Sequence, residues 1–133
     1  MKSTILIPIA LLAGCATAAA GPDLRAAEWR AVDVNGAPVA GDRPLTLRLA
    51  DAGQASGNSG CNSFTGTYKR RSQSRIDFGP LASTRMACEP AIMDQERRYL
   101  AILDAAERYT RYGDGSLSII APDGSAVRYR PVR

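Results

Sequence analysis

Alternation of apolar and polar side chains, cut at short intervals by turn residues, restricts the fold of this chain more than any other feature. Successive side chains of a strand point to opposite faces, so a period of two asks for sheets with one buried face. Glu28–Val34 reads as a first strand around Trp29, and Asn35-Gly36 is a hairpin-turn signal after it. Residues 44–49 set Leu45, Leu47 and Leu49 on one face. Asp51-Ala52-Gly53 turns into a short strand near 54–58, and 65–70 and 75–78 form a further pair with 71–74 at the tip. Strands at 107–112, 116–121 and 126–131 follow, separated by Gly113-Asp114-Gly115 and Asp123-Gly124.

One segment breaks the pattern. Pro90 suits the first turn of a helix, and the apolar spacing is helical from 91 to 106. Ile92, Tyr99, Ile102, Leu103 and Ala106 share one side, flanked by Met93 and Leu100, and the polar Gln95, Glu96, Arg97 and Arg98 are read as facing outward. The expected fold is mainly β with one helix, a small antiparallel β-barrel-like domain whose helix plugs one end or covers one face. Closure removes the exposed strand edges that invite aggregation. A barrel of about eight strands is just wide enough to be filled by its own side chains. Trp29, the three leucines, Phe64, Phe78, Leu117, Ile119, Val127 and Tyr129 are the expected filling, and a ligand cavity is not required.

The N-terminus indicates where the protein works. Lys2 precedes an apolar run from Ile5 to Ala13 that ends in Leu12-Ala13-Gly14-Cys15. A charged start, a short apolar stretch and small residues before a cysteine form the pattern of a bacterial lipoprotein signal. The run is short of the ~20 apolar residues a spanning helix needs, and Pro8 interrupts it. The expectation is a signal peptide at 1–14, lipidation at Cys15, a flexible Ala-rich tether over 15–25 and one domain over 26–133. Multiple acyl chains hold a protein stably to a membrane. The absence of Asp after the cysteine favours the outer membrane, facing the periplasm. An ordinary secretory signal cleaved near Ala18–Ala20 would also export the chain.

Lipidation of Cys15 leaves Cys61 and Cys88 as a pair, and in an oxidising compartment a structural disulfide is expected. Their separation of 27 residues does not fit the Cys-x-x-Cys turn of redox-active dithiols. The sequence contains no histidine, and two thiols do not complete a zinc site, so neither metal nor cofactor is expected. Without histidine there is no Ser-His-Asp arrangement, and no motif pairs carboxylates across a cleft. The chain is therefore read as not an enzyme. The charge balance of 17 Lys+Arg against 13 Asp+Glu is mild, and nucleic-acid binding would want a basic stripe with stacking aromatics. The Lys69-Arg70-Arg71 and Arg75 cluster is read as a solvated hairpin end, with contact to anionic headgroups as its alternative.

Gly60-Cys61-Asn62-Ser63-Phe64-Thr65-Gly66 and Leu81-Ala82-Ser83-Thr84-Arg85-Met86-Ala87-Cys88 together resemble the signature of the META/HslJ domain family. The flanking features agree: a tryptophan strand running into Asn35-Gly36, a helix after the second cysteine, and closing Leu-x-Ile and Val-x-Tyr strands over roughly residues 26–131. The resemblance implies a small barrel-like domain with one helix, often on an envelope lipoprotein. Some members are associated with heat shock and novobiocin resistance, but the family supplies no established catalytic mechanism.

Asn62 can bond to nearby backbone and hold a sharp turn, and Gly60 and Gly66 permit backbone angles that other residues avoid. Phe64 is expected beside the disulfide. Arg85 carries five donors that could pin its loop through backbone carbonyls or Glu89. Asn62, Phe64, Thr84 and Arg85 are thus read as loop-organising residues, with an anion-binding site as the sharper alternative. The functional expectation is an envelope-stress lipoprotein acting through a protein partner, held to the membrane by its acyl anchor. A lipocalin-like binder of a small or lipidic molecule is the second reading, and an open cavity would favour it.

Overall fold

The computed structural model describes Gly14 and residues 23–132. Cys15 and the signal and tether expectations for residues 1–13 and 15–22 lie outside the described residues. Ten strands and one α-helix follow a 3-10 turn at Leu24–Ala26. They are β1 (Glu28–Val34), β2 (Ala37–Pro38), β3 (Thr46–Ala50), β4 (Gln54–Asn58), β5 (Ser63–Arg70), β6 (Ile76–Phe78), β7 (Ala82–Ser83), α1 (Pro90–Ala105), β8 (Arg108–Arg111), β9 (Leu117–Ile120) and β10 (Ala126–Val132). The sheet runs β6-β5-β4-β3-β1-β10-β9-β8, all antiparallel, with β2 on β1 and β7 on β5. Its two ends meet at a bridge between Arg75 and Arg108. Ile76 N to Glu107 O at 3.2 Å and Tyr109 N to Ser74 O at 3.0 Å complete the seam. The sheet is thereby a nearly closed barrel, as the alternation predicts.

The expected interior is the observed one. Trp29, Leu45, Leu47, Leu49, Phe64, Leu117, Ile119, Val127 and Tyr129 are at most 1% exposed, and Phe78 is buried as well. Strict alternation along β1 would turn Asp33 inward after Trp29 and Ala31. A bulge between Ala31 and Asp33 prevents this by shifting the register against β10. Val34 is returned to the core, and Asp33 pairs outside the barrel with Arg128 at 2.8 Å.

The helix plugs one end. Tyr99 is fully buried and meets the rings of Phe64 and Tyr129 edge-on, at 6.0 and 6.3 Å between centroids. Its hydroxyl donates to Thr46 O at 3.0 Å and accepts from Tyr129 Oη at 3.0 Å. Burial pushes both phenols up in pKa, so both stay neutral. At the other end Leu24 is buried, and the Trp29 indole donates to Leu24 O at 2.9 Å. Asp23 caps that turn through Arg25 N. The folded unit therefore reaches back to residue 23, so residues 23–25 belong to the barrel rather than to a tether.

Candidate functional site

The most ordered polar construction lies where the turn after β4, the loop after β7 and α1 converge. Asn58 Oδ1 accepts from Gly60 N at 2.9 Å, and Ser59 N donates to Asn62 O at 2.8 Å. Gly60 sits at φ +115°, which side chains rarely adopt. Cys61 and Cys88 are joined by a disulfide with their Cα atoms 5.9 Å apart, within the usual span. Cys61 is fully buried, whereas Cys88 lies on an exposed loop.

Asn62 uses its whole amide. Oδ1 accepts from Thr84 Oγ1 at 2.9 Å and from Met86 N at 2.7 Å. Nδ2 donates to Met86 O at 3.1 Å and to Glu96 Oε2 at 2.8 Å. One buried amide therefore clasps both backbone groups of Met86 and joins that loop to the helix. Thr84 adds two links to Ser63, its N donating to Ser63 O at 3.0 Å and its Oγ1 accepting from Ser63 N at 3.2 Å.

Glu96 is the charged centre of this lock, only 4% exposed. Its Oε1 accepts from Asn62 N at 2.7 Å and lies 2.7 Å from Ser59 Oγ. The single Ser59 hydroxyl proton is divided between Glu96 and Asn62 O, which is 2.8 Å away. Burial alone would raise the pKa of this carboxyl. Hydrogen bonds from Ser59, from the side chain and backbone of Asn62 and from the Cys61 amide outweigh burial, so the pKa is lowered and Glu96 stays ionised. Among the described residues no cation pairs with it; neutral donors alone hold the charge. One helical position earlier, Gln95 clamps the backbone of Ala40, accepting from its N at 2.8 Å and donating to its O at 3.1 Å. Arg43 donates to Cys61 O at 3.1 Å.

The META domain matches residues 22–132 of this chain, a span that contains every element of the lock. The chain belongs to the META domain family. An NMR structure of a protein from Burkholderia xenovorans is similar at 24% identity and TM-score 0.65, covering 82% of this chain and 83% of that one. A second NMR structure is similar at 24% identity and TM-score 0.67, covering 81% of this chain and 91% of that one. Both share the fold. No curated protein matches.

Within this META domain the structure joins Asn62 and Thr84 to the disulfide, and treats the remaining expected residues differently. Phe64 is buried, with Tyr99 as its ring partner. Arg85 is exposed, and among the described residues its side chain makes neither the Glu89 ion pair nor a hydrogen bond to the loop; Asn62 holds the loop backbone at Met86 instead. Gly66 does not adopt a positive φ; it is required by close approach, since a Cβ there would lie 2.9 Å from Pro80 O and 2.7 Å from a Leu81 methyl. The outward reading of Gln95 and Glu96 is also corrected, because both are 4% exposed. Glu96 and Ser59 are the site residues that residue type alone conceals.

Proposed function

We propose that this META domain is a non-enzymatic, lipid-anchored protein of the outer membrane that faces the periplasm and serves envelope-stress tolerance through contact with another protein. The observation that carries the reading is Met86. The residue is 51% exposed, yet its backbone is clasped on both sides by buried Asn62, two residues from the disulfide at Cys88. A loop backbone already fixed in place loses little entropy when a partner covers the side chain it carries. The filled barrel interior supports protein contact over the lipocalin-like alternative, since bulky side chains occupy the space such a ligand would take.

The test is in-cell photo-crosslinking from position 86, with and without heat stress, alongside mass measurement of the purified mature chain. A recurrent envelope protein captured from position 86, and acyl mass on Cys15 that is lost in Cys15→Ala, are the expected results. Crosslinks confined to the chain itself under every condition would refute the contact reading. An unacylated mature N-terminus would refute the anchor.

A further inference from the structure

The barrel end opposite the helix carries two arginines in phase with the inner face, Arg70 exposed at the rim and Arg111 half-buried. Along β5, Phe64, Gly66, Tyr68 and Arg70 alternate onto the inner face, and along β8 Tyr109 and Arg111 do the same. Strand direction brings the last residues of β5 and β8 to the end where β1 begins at Trp29 and the Leu24 turn sits. The Arg111 guanidinium lies 4.7 Å from the centroid of the Trp29 ring. That of Arg70 lies 5.6 Å from the Tyr109 ring, and its Nε donates to Tyr109 Oη at 2.7 Å.

We infer that this barrel mouth is a binding site for a phosphate-bearing anion, held by Arg70 and Arg111. Arg111 Nε is buried and has no hydrogen-bond partner among the described residues. A buried guanidinium N–H left unpaired is costly, and a charge-assisted acceptor removes that cost. At the same mouth Arg25 is already neutralised by Asp23 at 2.7 Å and Asp51 at 2.8 Å. Neither Arg70 nor Arg111 has a carboxylate within ion-pair distance among the described residues. A cavity of about 190 Å³, lined by Asp23, Leu24, Arg25, Tyr68 and Arg70, opens at this mouth on the Arg70 side, a size that admits a phosphate group. The Trp29 ring restrains the Arg111 guanidinium and the Tyr109 hydroxyl that of Arg70. The inference stands independently of the protein-contact reading, which concerns the opposite end of the barrel.

Trp29 is the sole tryptophan and touches Arg111, so its fluorescence reports the site directly. Inorganic phosphate is titrated into the full chain while Trp29 emission and the Arg Nε–H resonances of the unmutated protein are followed. Vesicles of phosphatidic acid in phosphatidylcholine form the second arm, and pure phosphatidylcholine vesicles the control. Saturable shifts of the Arg70 and Arg111 Nε–H signals are expected, with affinity reduced roughly tenfold by Arg111→Gln, the loss of about one charge-assisted bond. A response to phosphate alone assigns the site to soluble phosphate compounds; a response only to phosphatidic acid vesicles assigns it to lipid headgroups. Shifts equal in Arg111→Gln, or an unmutated chain silent to both probes, overturn the inference.

Discussion

Replacing Glu96 by Gln keeps the shape of the buried side chain and removes its charge, which makes it the sharpest test of the lock. The variant retains one acceptor oxygen where the wild type has two. With that oxygen at the Oε1 position, Asn62 N and Ser59 keep an acceptor, but the new NH2 faces Asn62 Nδ2, donor against donor, where the wild type has a 2.8 Å bond. One bond to a charged group, worth about 1.5–3 kcal/mol, is lost, and the remaining bonds fall to the ~1 kcal/mol of neutral ones. Relief from burying a charge offsets part of this, leaving a net destabilisation of about 2–3 kcal/mol at pH 7. The pH dependence gives a second check. The folded-state pKa of Glu96 is lowered from its ordinary 4.5. Its contribution is therefore fully present above about 4.5 and is lost as pH falls through the lowered folded value. Because Gln does not titrate, the gap between the two proteins should narrow in strong acid. Urea unfolding followed by Trp29 fluorescence, with the disulfide intact, measures both. A Glu96→Gln protein as stable as wild type at pH 7, or a gap that stays constant down to strong acid, would refute the reasoning.

Other perturbations separate the parts of the lock. Reducing the disulfide should lower stability by about 3.5 kcal/mol, the loop-closure value for a 27-residue separation, as read by urea midpoints with and without reductant. Asn62→Ala should strip the Met86 amide, which now donates to Oδ1 at 2.7 Å, of its hydrogen-exchange protection and cost roughly 2–4 kcal/mol in the same unfolding assay. Gly60→Ala should cost about 1–3 kcal/mol, because φ +115° is strained for any residue with a Cβ. A thermal midpoint equal to that of wild type would contradict that reading of the turn.

Much of the barrel is written in local pattern. The span of β4 coincides with the expected 54–58, and Asn35-Gly36 forms the hairpin turn it signals, with φ of 50° and 84°. What alternation does not carry is the point where it fails. Asp33 follows Trp29 and Ala31 in phase, and only the pairing of β1 with β10, the first and last strands, forces the bulge that expels it. Glu96 is a different kind of miss. Ile92, Glu96, Tyr99, Leu103 and Ala106 recur at intervals of four and three, so the buried stripe includes position 96, but a carboxylate there reads as surface by residue type. Along this helix, period is a better guide to burial than polarity. A charged residue in phase with an apolar stripe is a signal to look for donors elsewhere in the chain, and Ser59 and Asn62 flank the half-cystine Cys61 in the turn that faces the helix.

The disulfide and the Asn62–Glu96 network hold the same loop, but they act on different states. A covalent link stabilises mainly by restricting the unfolded chain, whereas buried hydrogen bonds exist only after the helix and the turn have met. The loop is fixed covalently at position 88 and by hydrogen bonds at Thr84 and Met86. Reduction should therefore weaken the whole domain while Met86 remains clasped in the molecules still folded. Loss of the Asn62 amide should free Met86 in a domain still tied at Cys88. If presenting Met86 is what the domain does, its crosslinking from position 86 should survive the first change and fail after the second, although the two cost the domain similar stability.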